Sequence, residues 1–217
     1  MPRVITVGLA CCLASGCFST PAIYPERWAE PVTVEGHACP SIDGLYANSG
    51  ESRWTYGIDG QETYGARSLA HILNGGTGVN SLALWNKLGD SFENANRDPN
   101  VSIRLAVGEG RLQVTATHAD GSSRSMDLPV QPDCRDGLLA LEGDWDTDLW
   151  LIAPVAPEFS RKSIAFGRAT DGALLVREGK TAVLWFLITP AFAYREADWI
   201  RFAELPVSTA AVAEVSP

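Results

Sequence analysis

A short acidic run is the polar feature of this sequence best suited to binding a cation. Asp144, Asp146 and Asp148 alternate along the chain, as do the first three carboxylate ligands of many calcium loops. A helix–loop–helix calcium loop would also need glycine at its sixth position and glutamate at its twelfth, where this sequence has Leu149 and Val155. Two interpretations follow: a solvated loop between strands, and a calcium site of another design.

A serine nucleophile lacks the partners that its chemistry requires. The run Gly89-Asp90-Ser91-Phe92 resembles the serine block of GDSL-type esterases, a family whose base is a histidine three residues after an aspartate. The positions three residues before the three histidines are Val34, Ser68 and Thr115. The required aspartate is therefore missing, and the same three histidines form no pair at zinc-ligand spacing.

The longest apolar run, residues 183–188, has two interpretations. The first is a strand that is buried on both faces. The second is an apolar-ligand cavity, since hollow β-structures bind small apolar molecules. Four tryptophans would line that cavity: Trp145, Trp150, Trp185 and Trp199.

The N-terminal residues predict export. Arg3 gives one positive charge, and the thirteen residues from Val4 to Gly16 carry none. A helix needs roughly 20 apolar residues to span a bilayer, so this pattern is typical of a cleaved secretory signal.

The end of this leader, Leu13-Ala14-Ser15-Gly16-Cys17, resembles the lipobox of bacterial lipoproteins. In that family small residues precede a cysteine that is diacylated, exposed by cleavage and then acylated on its amino group. Ala14 stands where the family usually has leucine. Cys12 has a better-placed leucine but leaves a shorter apolar stretch, so Cys17 is the predicted lipid attachment. The alternatives are an ordinary cleaved signal with a free secreted product and, third, an uncleaved anchor.

The two remaining cysteines predict a disulfide. Cys11 and Cys12 leave with the leader and Cys17 takes the lipid, which leaves Cys39 and Cys134 for an oxidising compartment. Pairing them closes a loop of about 95 residues, worth at most about 4–5 kcal/mol in the chain-entropy model.

The overall charge excludes nucleic acid as a partner. The chain has 17 basic and 26 acidic residues, a net charge of −9, and loss of Arg3 with the leader leaves 16 against 26, or −10. Such a protein repels phosphate backbones and anionic lipid surfaces as a whole. Membrane contact is therefore expected through the N-terminal lipid.

The strand signals begin after Cys39. The segment Cys39-Pro40, with Gly44, Tyr46 and Asn48 following, resembles the opening of a group of uncharacterised envelope lipoproteins. Alternating residues around the turn Gly108-Glu109-Gly110 predict a hairpin, and Asp171-Gly172 predicts another. Residues 66–73 are spaced as one helix face before Asn74-Gly75-Gly76, a helix stop, and a second short helix is expected at 81–88.

These elements predict a mainly β protein. We expect a single antiparallel up-and-down sheet of about eight or nine strands, curled or barrel-like, with one or two short helices. The expected organisation is a signal peptide at 1–16, a lipid anchor and proline-containing tether at 17–35, a β-rich domain at 36–205 and a disordered tail at 206–217. Ile23, Tyr24 and Trp28 are apolar for a free linker, so part of the tether is expected to lie against the domain.

The functional expectation is a lipid-anchored cell-envelope protein without catalytic activity. Its β-domain would bind an envelope protein, a lipid or cell-wall material, or would serve as a structural component of a larger assembly. The alternative is a periplasmic hydrolase that uses carboxylates, with calcium as its one candidate cofactor. Phe18, rather than aspartate, follows Cys17, and for Gram-negative lipoproteins that resemblance implies the periplasmic face of the outer membrane.

Overall fold

Strands dominate the architecture of the computed structural model. The structure describes residues 17–19, 23–34, 38–56, 61–75, 99–129, 133–135, 137–149, 157–186 and 189–206. The strands of this part are β1 (Cys17–Ser19), β2 (Gly44–Ala47), β3 (Ser49–Tyr56), β4 (Gln61–Ser68), β5 (Ser102–Gly108), β6 (Arg111–Thr117), β7 (Ser123–Pro129), β8 (Asp133–Arg135), β9 (Leu138–Leu149), β10 (Pro157–Arg168), β11 (Leu174–Phe186) and β12 (Thr189–Phe202). One helix, α1 (Leu69–Gly75), follows β4.

The smaller sheet has four antiparallel strands in the order β2-β5-β6-β7. Its sequence alternates as a half-buried sheet should: Ile103 and Leu105 are buried, whereas Arg104 is exposed. Gly108 pairs with Arg111 across a two-residue turn. Both turn residues have positive φ, 46° at Glu109 and 73° at Gly110, which matches the right-handed twist of the strands. The predicted hairpin is confirmed.

The larger sheet follows the order β4-β3-β12-β11-β10-β9-β8, and β1 pairs with β12 beside this path. Strands β9 to β12 are each 12 to 14 residues long, and they form successive hairpins. All pairs in the sheet are antiparallel except the short parallel pair of β1 with β12. The ends of these long strands define two ends of the molecule. The first end holds Leu149, Pro157, Phe186 and Thr189; we call it the anchor end, because the predicted lipid attachment residue Cys17 pairs with β12 near it. The far end holds Arg168, Leu174 and Phe202.

The two sheets share one hydrophobic core. Tyr46, Ile103 and Leu112 of the small sheet are in the same buried cluster as Phe166 and Phe202 of the large sheet. Four residues of α1 join this cluster at 0–1% exposure: Leu69, Ala70, Ile72 and Leu73. Burial of apolar surface on this scale is the main force that holds two sheets face to face.

A second, smaller core lies on the opposite face of the large sheet. Its sheet residues are Leu138, Ala165, Leu175 and Trp199, and Trp28 packs on them from the N-terminal segment 23–34. Val32 N donates to Arg168 O at 2.7 Å and Thr170 N donates to Glu30 O at 2.8 Å. Tyr24 and Trp28 of the expected tether thus lie against the domain, whereas Ile23 is 58% exposed. The far half of this face is covered by the N-terminal segment.

The mainly β, antiparallel class is confirmed, but the expectation of a single curled or barrel-like sheet is wrong. The strands form two sheets, and neither path closes on itself within the described residues. The chain changes sheet at one point: β2 ends at Ala47 in the small sheet, and β3 starts at Ser49 in the large one. A single residue, Asn48, thus carries the chain from one layer to the other, and period-two patterning cannot show such a crossing.

The helix predicted at 66–73 exists but begins three residues later. Residues Ala66 to Ser68 instead pair with β3, and Ser68 and Asn48 together cap the start of α1. The Asn48 Oδ1 accepts a hydrogen bond from Ala70 N at 2.9 Å, and its backbone oxygen accepts one from Leu69 N at 2.8 Å. Ser68, the residue directly before α1, is a local cap, since its Oγ accepts a hydrogen bond from His71 N at 3.2 Å. The second cap, from Asn48, comes from a distant part of the sequence and has no local signal.

The second predicted helix, at 81–88, and most of the predicted tail, from residue 207, lie outside the described residues, as does the leader 1–16. Among the helices of the described part, none combines the length and the apolar character that a membrane crossing requires.

Candidate functional site

The predicted lipid attachment residue lies at the edge of the large sheet. Cys17 is the first residue of β1 and pairs in parallel with Ala193 of β12, and Ser19 pairs with Arg195. Farther along the same edge of β12, Trp199 to Arg201 pair with β3. β1 therefore extends a sheet edge that β3 covers only in part. Ala193 is four residues from Thr189, the start of β12, so Cys17 lies near the anchor end.

The structure joins Cys39 and Cys134 in a disulfide whose Cα atoms are 5.4 Å apart, a separation within the usual range. Cys39 precedes β2 of the small sheet and packs against the shared core, and Cys134 lies in β8 at the edge of the large sheet. The bond therefore links the segment before β2 of the small sheet to β8, the edge strand of the large sheet.

An aromatic cluster fixes the N-terminal segment on the large sheet. The Tyr24 ring stands edge-on to Trp199, with centroids 5.2 Å apart, and edge-on to Trp28 at 5.9 Å. The Tyr24 hydroxyl donates to Ala29 O at 2.5 Å, and the Arg177 guanidinium lies 5.8 Å from the Trp199 ring centroid. Edge-on rings and a cation over an aromatic face are both favourable arrangements, so the segment is held by specific contacts.

Ion pairs flank this cluster. Arg201 pairs with Asp171, and Arg27 of the segment pairs with Glu51 of β3. Partial burial alone would raise the pKa of Asp171, but the hydrogen bonds from Arg201 and from Ala173 N lower it below its ordinary value of 3.8. Burial is the main cause that raises the pKa of Tyr24. The Arg27–Glu51 pair joins the segment to β3 directly, and the charges of Asp171 and Arg201 act on Tyr24.

Two tryptophans of the predicted cavity, Trp185 and Trp199, lie far apart along the large sheet. Trp199 pairs with Arg177, and Trp185 pairs with Pro190. Arg177 and Trp185 are eight residues apart on β11, which is about 26 Å along the strand. Trp199 belongs to the aromatic cluster, Trp145 pairs with Arg161 nearer the anchor end, and Trp150 lies outside the described residues.

The acidic run lies in a strand, so the interpretation as a loop is corrected. Asp144, Asp146 and Asp148 all belong to β9, where Asp146 pairs with Ser160 and Asp148 pairs with Glu158. Pairing with β10 explains the extended backbone. Among the described side chains no group of three or more histidines, cysteines or carboxylates could hold a metal. The calcium site remains a prediction.

The described carboxylates with a shifted pKa are stabilised as anions. Hydrogen bonds from the Ser122 side chain and backbone lower the pKa of Asp120, and the hydrogen bonds at Asp171 act in the same direction. A general acid of a carboxylate-dependent hydrolase needs the opposite shift. His71 is exposed on α1, and His118 is at the β6–β7 turn, while His37 and the serine block 89–92 lie outside the described residues.

The residues that open the domain have structural roles. Tyr46 is fully buried and its hydroxyl donates to Ile42 O at 3.0 Å. A Cβ at Gly44 would lie 2.7 Å from that hydroxyl oxygen, so only glycine leaves room for the ring. Asn48, 1% exposed, joins α1 to the crossing between layers. The Cys-Pro, Gly, aromatic and Asn pattern thus describes how the two layers are joined.

Sequence reasoning missed the pairing of β1 with β12, because three residues of parallel strand carry no local pattern. The docking of the N-terminal segment had a signal, namely the apolar Tyr24 and Trp28 in a stretch rich in proline.

Together the fold and the described contacts define a two-layer antiparallel β protein with a predicted lipidation residue beside one sheet end. Comparisons with protein-family models, with curated proteins and with solved structures found no match.

Proposed function

We propose that this chain is a lipid-anchored cell-envelope protein, held to the membrane through acylated Cys17, whose β-domain is a non-catalytic binding or structural module. One observation carries the proposal: an uncharged thirteen-residue leader ends in Ser15-Gly16-Cys17. The residue predicted to become the N-terminus is also the first residue of the first described strand.

The cysteine usage supports the same compartment. Of five cysteines, the two beyond the anchor are paired with each other. Structural disulfides persist in oxidising compartments such as the periplasm. The remaining cysteine outside the leader is Cys17, and acylation would consume its thiol.

The described polar groups favour a module without catalysis. The shifted carboxylates, Asp120 and Asp171, are held as anions by neighbouring donors, and the buried polar residue Asn48 is used in joining the layers. Such a domain presents surfaces rather than a reacting group. We place it in the cell envelope, on the periplasmic face of the outer membrane.

Metabolic labelling tests the anchor. Cells that express the full chain are grown with a tagged fatty acid, and the purified protein is examined for the label in three forms: unsubstituted, Cys17→Ala and Cys12→Ala. We expect label in the first and third and none in the second. Label that survives Cys17→Ala but not Cys12→Ala would move the anchor, and absence of label from all three would leave an exported protein without lipid.

A further inference from the structure

Cys17 begins a row of five uncharged residues, one from each of five neighbouring strands of the large sheet, in which each residue is paired with the next. We call it the anchor row; it consists of Cys17, Ala193, Val183, Phe159 and Thr147. Neighbouring strands lie about 4.8 Å apart, so Phe159 is about 14 Å from Cys17 across the sheet. Phe159 is also 36% exposed, although most large apolar side chains of the described part are buried.

The anchor row belongs to the face that the N-terminal segment covers elsewhere. Alternate residues of a strand lie on the same face, and Ala193 is six residues from Trp199 on β12. Tyr24 and Trp28 cover Trp199 at the far half of this face. Phe159, at the anchor half, keeps its solvent exposure.

A second row, two residues farther from the anchor end, carries two arginines. We call it the arginine row; it consists of Ser19, Arg195, Thr181, Arg161 and Trp145. Two residues span about 7 Å along a strand. Arg195 is exposed, and its Nε donates to Thr181 Oγ1 at 3.3 Å. Two guanidinium groups thus lie behind an uncharged row in a chain whose net charge is −9.

The strands continue past the anchor row with largely apolar residues. β12 begins four residues before Ala193, about 13 Å farther along, and the pairs there are Trp185 with Pro190 and Phe186 with Thr189. Glu158 and Asp148 pair with each other at register positions that alternate with the anchor row. The anchor end is therefore largely apolar along the anchor row and along the pairs beyond it. Its acidic residues Glu158 and Asp148 lie at the positions that alternate with the anchor row.

We propose that the anchor end of the large sheet is a membrane-docking surface, with Phe159 and the anchor row at the lipid headgroup layer and Arg161 and Arg195 facing lipid phosphates. This inference rests on the proposed lipid anchor, because acylated Cys17 would bring this end of the molecule to the bilayer. Interfacial segments bury apolar groups about 5–10 Å below the headgroup level. Arginines a short distance behind such groups are well placed for anionic phosphates.

The experiment uses the full chain, lipidated in cells and reconstituted into vesicles of phosphatidylethanolamine and phosphatidylglycerol. Phe159→Cys is compared with Val107→Cys, a matched position that is 41% exposed. Val107 lies near the far end, because its backbone N–H donates to Asp43 Oδ1 and the Asp43 backbone oxygen accepts a hydrogen bond from Arg168. With Cys17 acylated and Cys39 paired to Cys134, the introduced thiol accepts a nitroxide label. Accessibility to oxygen and to a water-soluble nickel complex then reports depth.

We expect the oxygen-to-nickel accessibility ratio at Phe159→Cys to exceed that at Val107→Cys several-fold. Equal, water-like ratios on protein that co-floats with the vesicles would overturn the docking surface and leave this end free for a protein partner. Failure to co-float would instead refute the lipid anchor, so the two failures are distinguishable.

A second measurement covers variants that fold poorly. Vesicles containing brominated lipids quench tryptophans that approach the acyl chains. We expect Trp185→Phe to reduce the emission intensity that the quencher removes and Trp28→Phe to leave that intensity unchanged. An unchanged intensity loss in Trp185→Phe, or no quenching of the unsubstituted protein, would contradict the proposal.

Discussion

Two buried side chains of this protein, Tyr46 and Asn48, stabilise the fold by connecting separate segments of the chain. Tyr46 fills the space left by Gly44 and donates to Ile42 O, and Asn48 holds α1 at the crossing between the layers. Both residues were visible in the sequence as part of a short pattern near Cys39. Their roles were not, because the atoms that they contact belong to segments brought close only by folding.

The Tyr46 hydroxyl makes stability sensitive to alkaline pH. Burial is the main cause that raises its pKa from 10.0 to about 12, with Arg168 lowering it and Glu204 and Asp43 raising it. A folded-state pKa above the unfolded value means that the contribution is complete below pH 10 and is lost as the pH rises through 12. Two pKa units correspond to on the order of 2–3 kcal/mol.

We therefore expect Tyr46→Phe to lose less stability than the unsubstituted protein between pH 10 and pH 12. Urea unfolding at several pH values, followed by circular dichroism, measures this difference. The same comparison at about pH 7 is the control, because the Tyr46 hydroxyl is protonated there in both the folded and the unfolded state. Parallel loss of stability in Tyr46→Phe and the unsubstituted protein would contradict the assignment.

Trp28 holds the N-terminal segment through packing rather than hydrogen bonding. It is 6% exposed, and its Nε1 has no hydrogen-bond partner among the described atoms. We expect Trp28→Ala to lower the free energy of unfolding by about 3 kcal/mol, as loss of a large buried ring does. Trp28→Phe should lower it by less than about 1 kcal/mol, since it keeps a ring and removes the unsatisfied N–H.

Thermal and urea unfolding of the two variants check this, with Ile23→Ala as the control on the same segment. Ile23 is 58% exposed and its replacement should have little effect. Equal effects of Trp28→Ala and Ile23→Ala would show that the segment is not part of the folded domain.

At the scale of elements, the hairpins were predictable and the layering was not. Period-two alternation and the turns Glu109-Gly110 and Asp171-Gly172 gave β5 to β6 and β10 to β11. The division into two sheets depends on Asn48, and the strand that holds the acidic run depends on its pairing with β10. These are contacts between residues far apart in sequence, which local patterns do not record.

The disulfide joins elements of different layers, so its removal should affect the whole domain. Cys39 and Cys134 are 95 residues apart in sequence, and closing such a loop stabilises the folded state by at most about 4–5 kcal/mol. We expect a reductant to lower the urea midpoint of the unsubstituted protein. The midpoint of the Cys39→Ser/Cys134→Ser variant should already be low and should not respond to reductant. A reductant-insensitive unsubstituted protein would mean that the bond is absent or carries no stability.

At the scale of the whole molecule, the sequence predicts a lipid anchor at Cys17. The register of the large sheet shows which end of the domain that anchor would bring to the membrane. The net charge of −9 argues against attraction to anionic lipid. That argument assumes that the charge is spread evenly over the molecule. The register concentrates Arg161 and Arg195 in one row near Cys17. Local charge decides contact within a Debye length of about 8–10 Å. The face that carries the arginine row can therefore be attracted to a surface that repels the rest, while Glu158 and Asp148 lie at positions that alternate with that face.

This asymmetry makes docking depend on salt and on lipid charge. We expect the nitroxide at Phe159→Cys to move toward the lipid as phosphatidylglycerol content rises and to move back at high salt, because each arginine near an anionic surface contributes about 1 kcal/mol. Adding Arg161→Glu and Arg195→Glu should abolish both responses.

The matched control is Arg104→Glu with Arg124→Glu, which changes the net charge equally at two exposed positions of the small sheet. This pair should leave both responses intact, since neither residue is in the two rows beside Cys17. If the two double variants weaken docking equally, net charge alone governs the approach to the membrane, and the arginine row has no specific part in it. If only the first does, the orientation of the whole domain on the bilayer follows from the register of the five strands that the two rows cross.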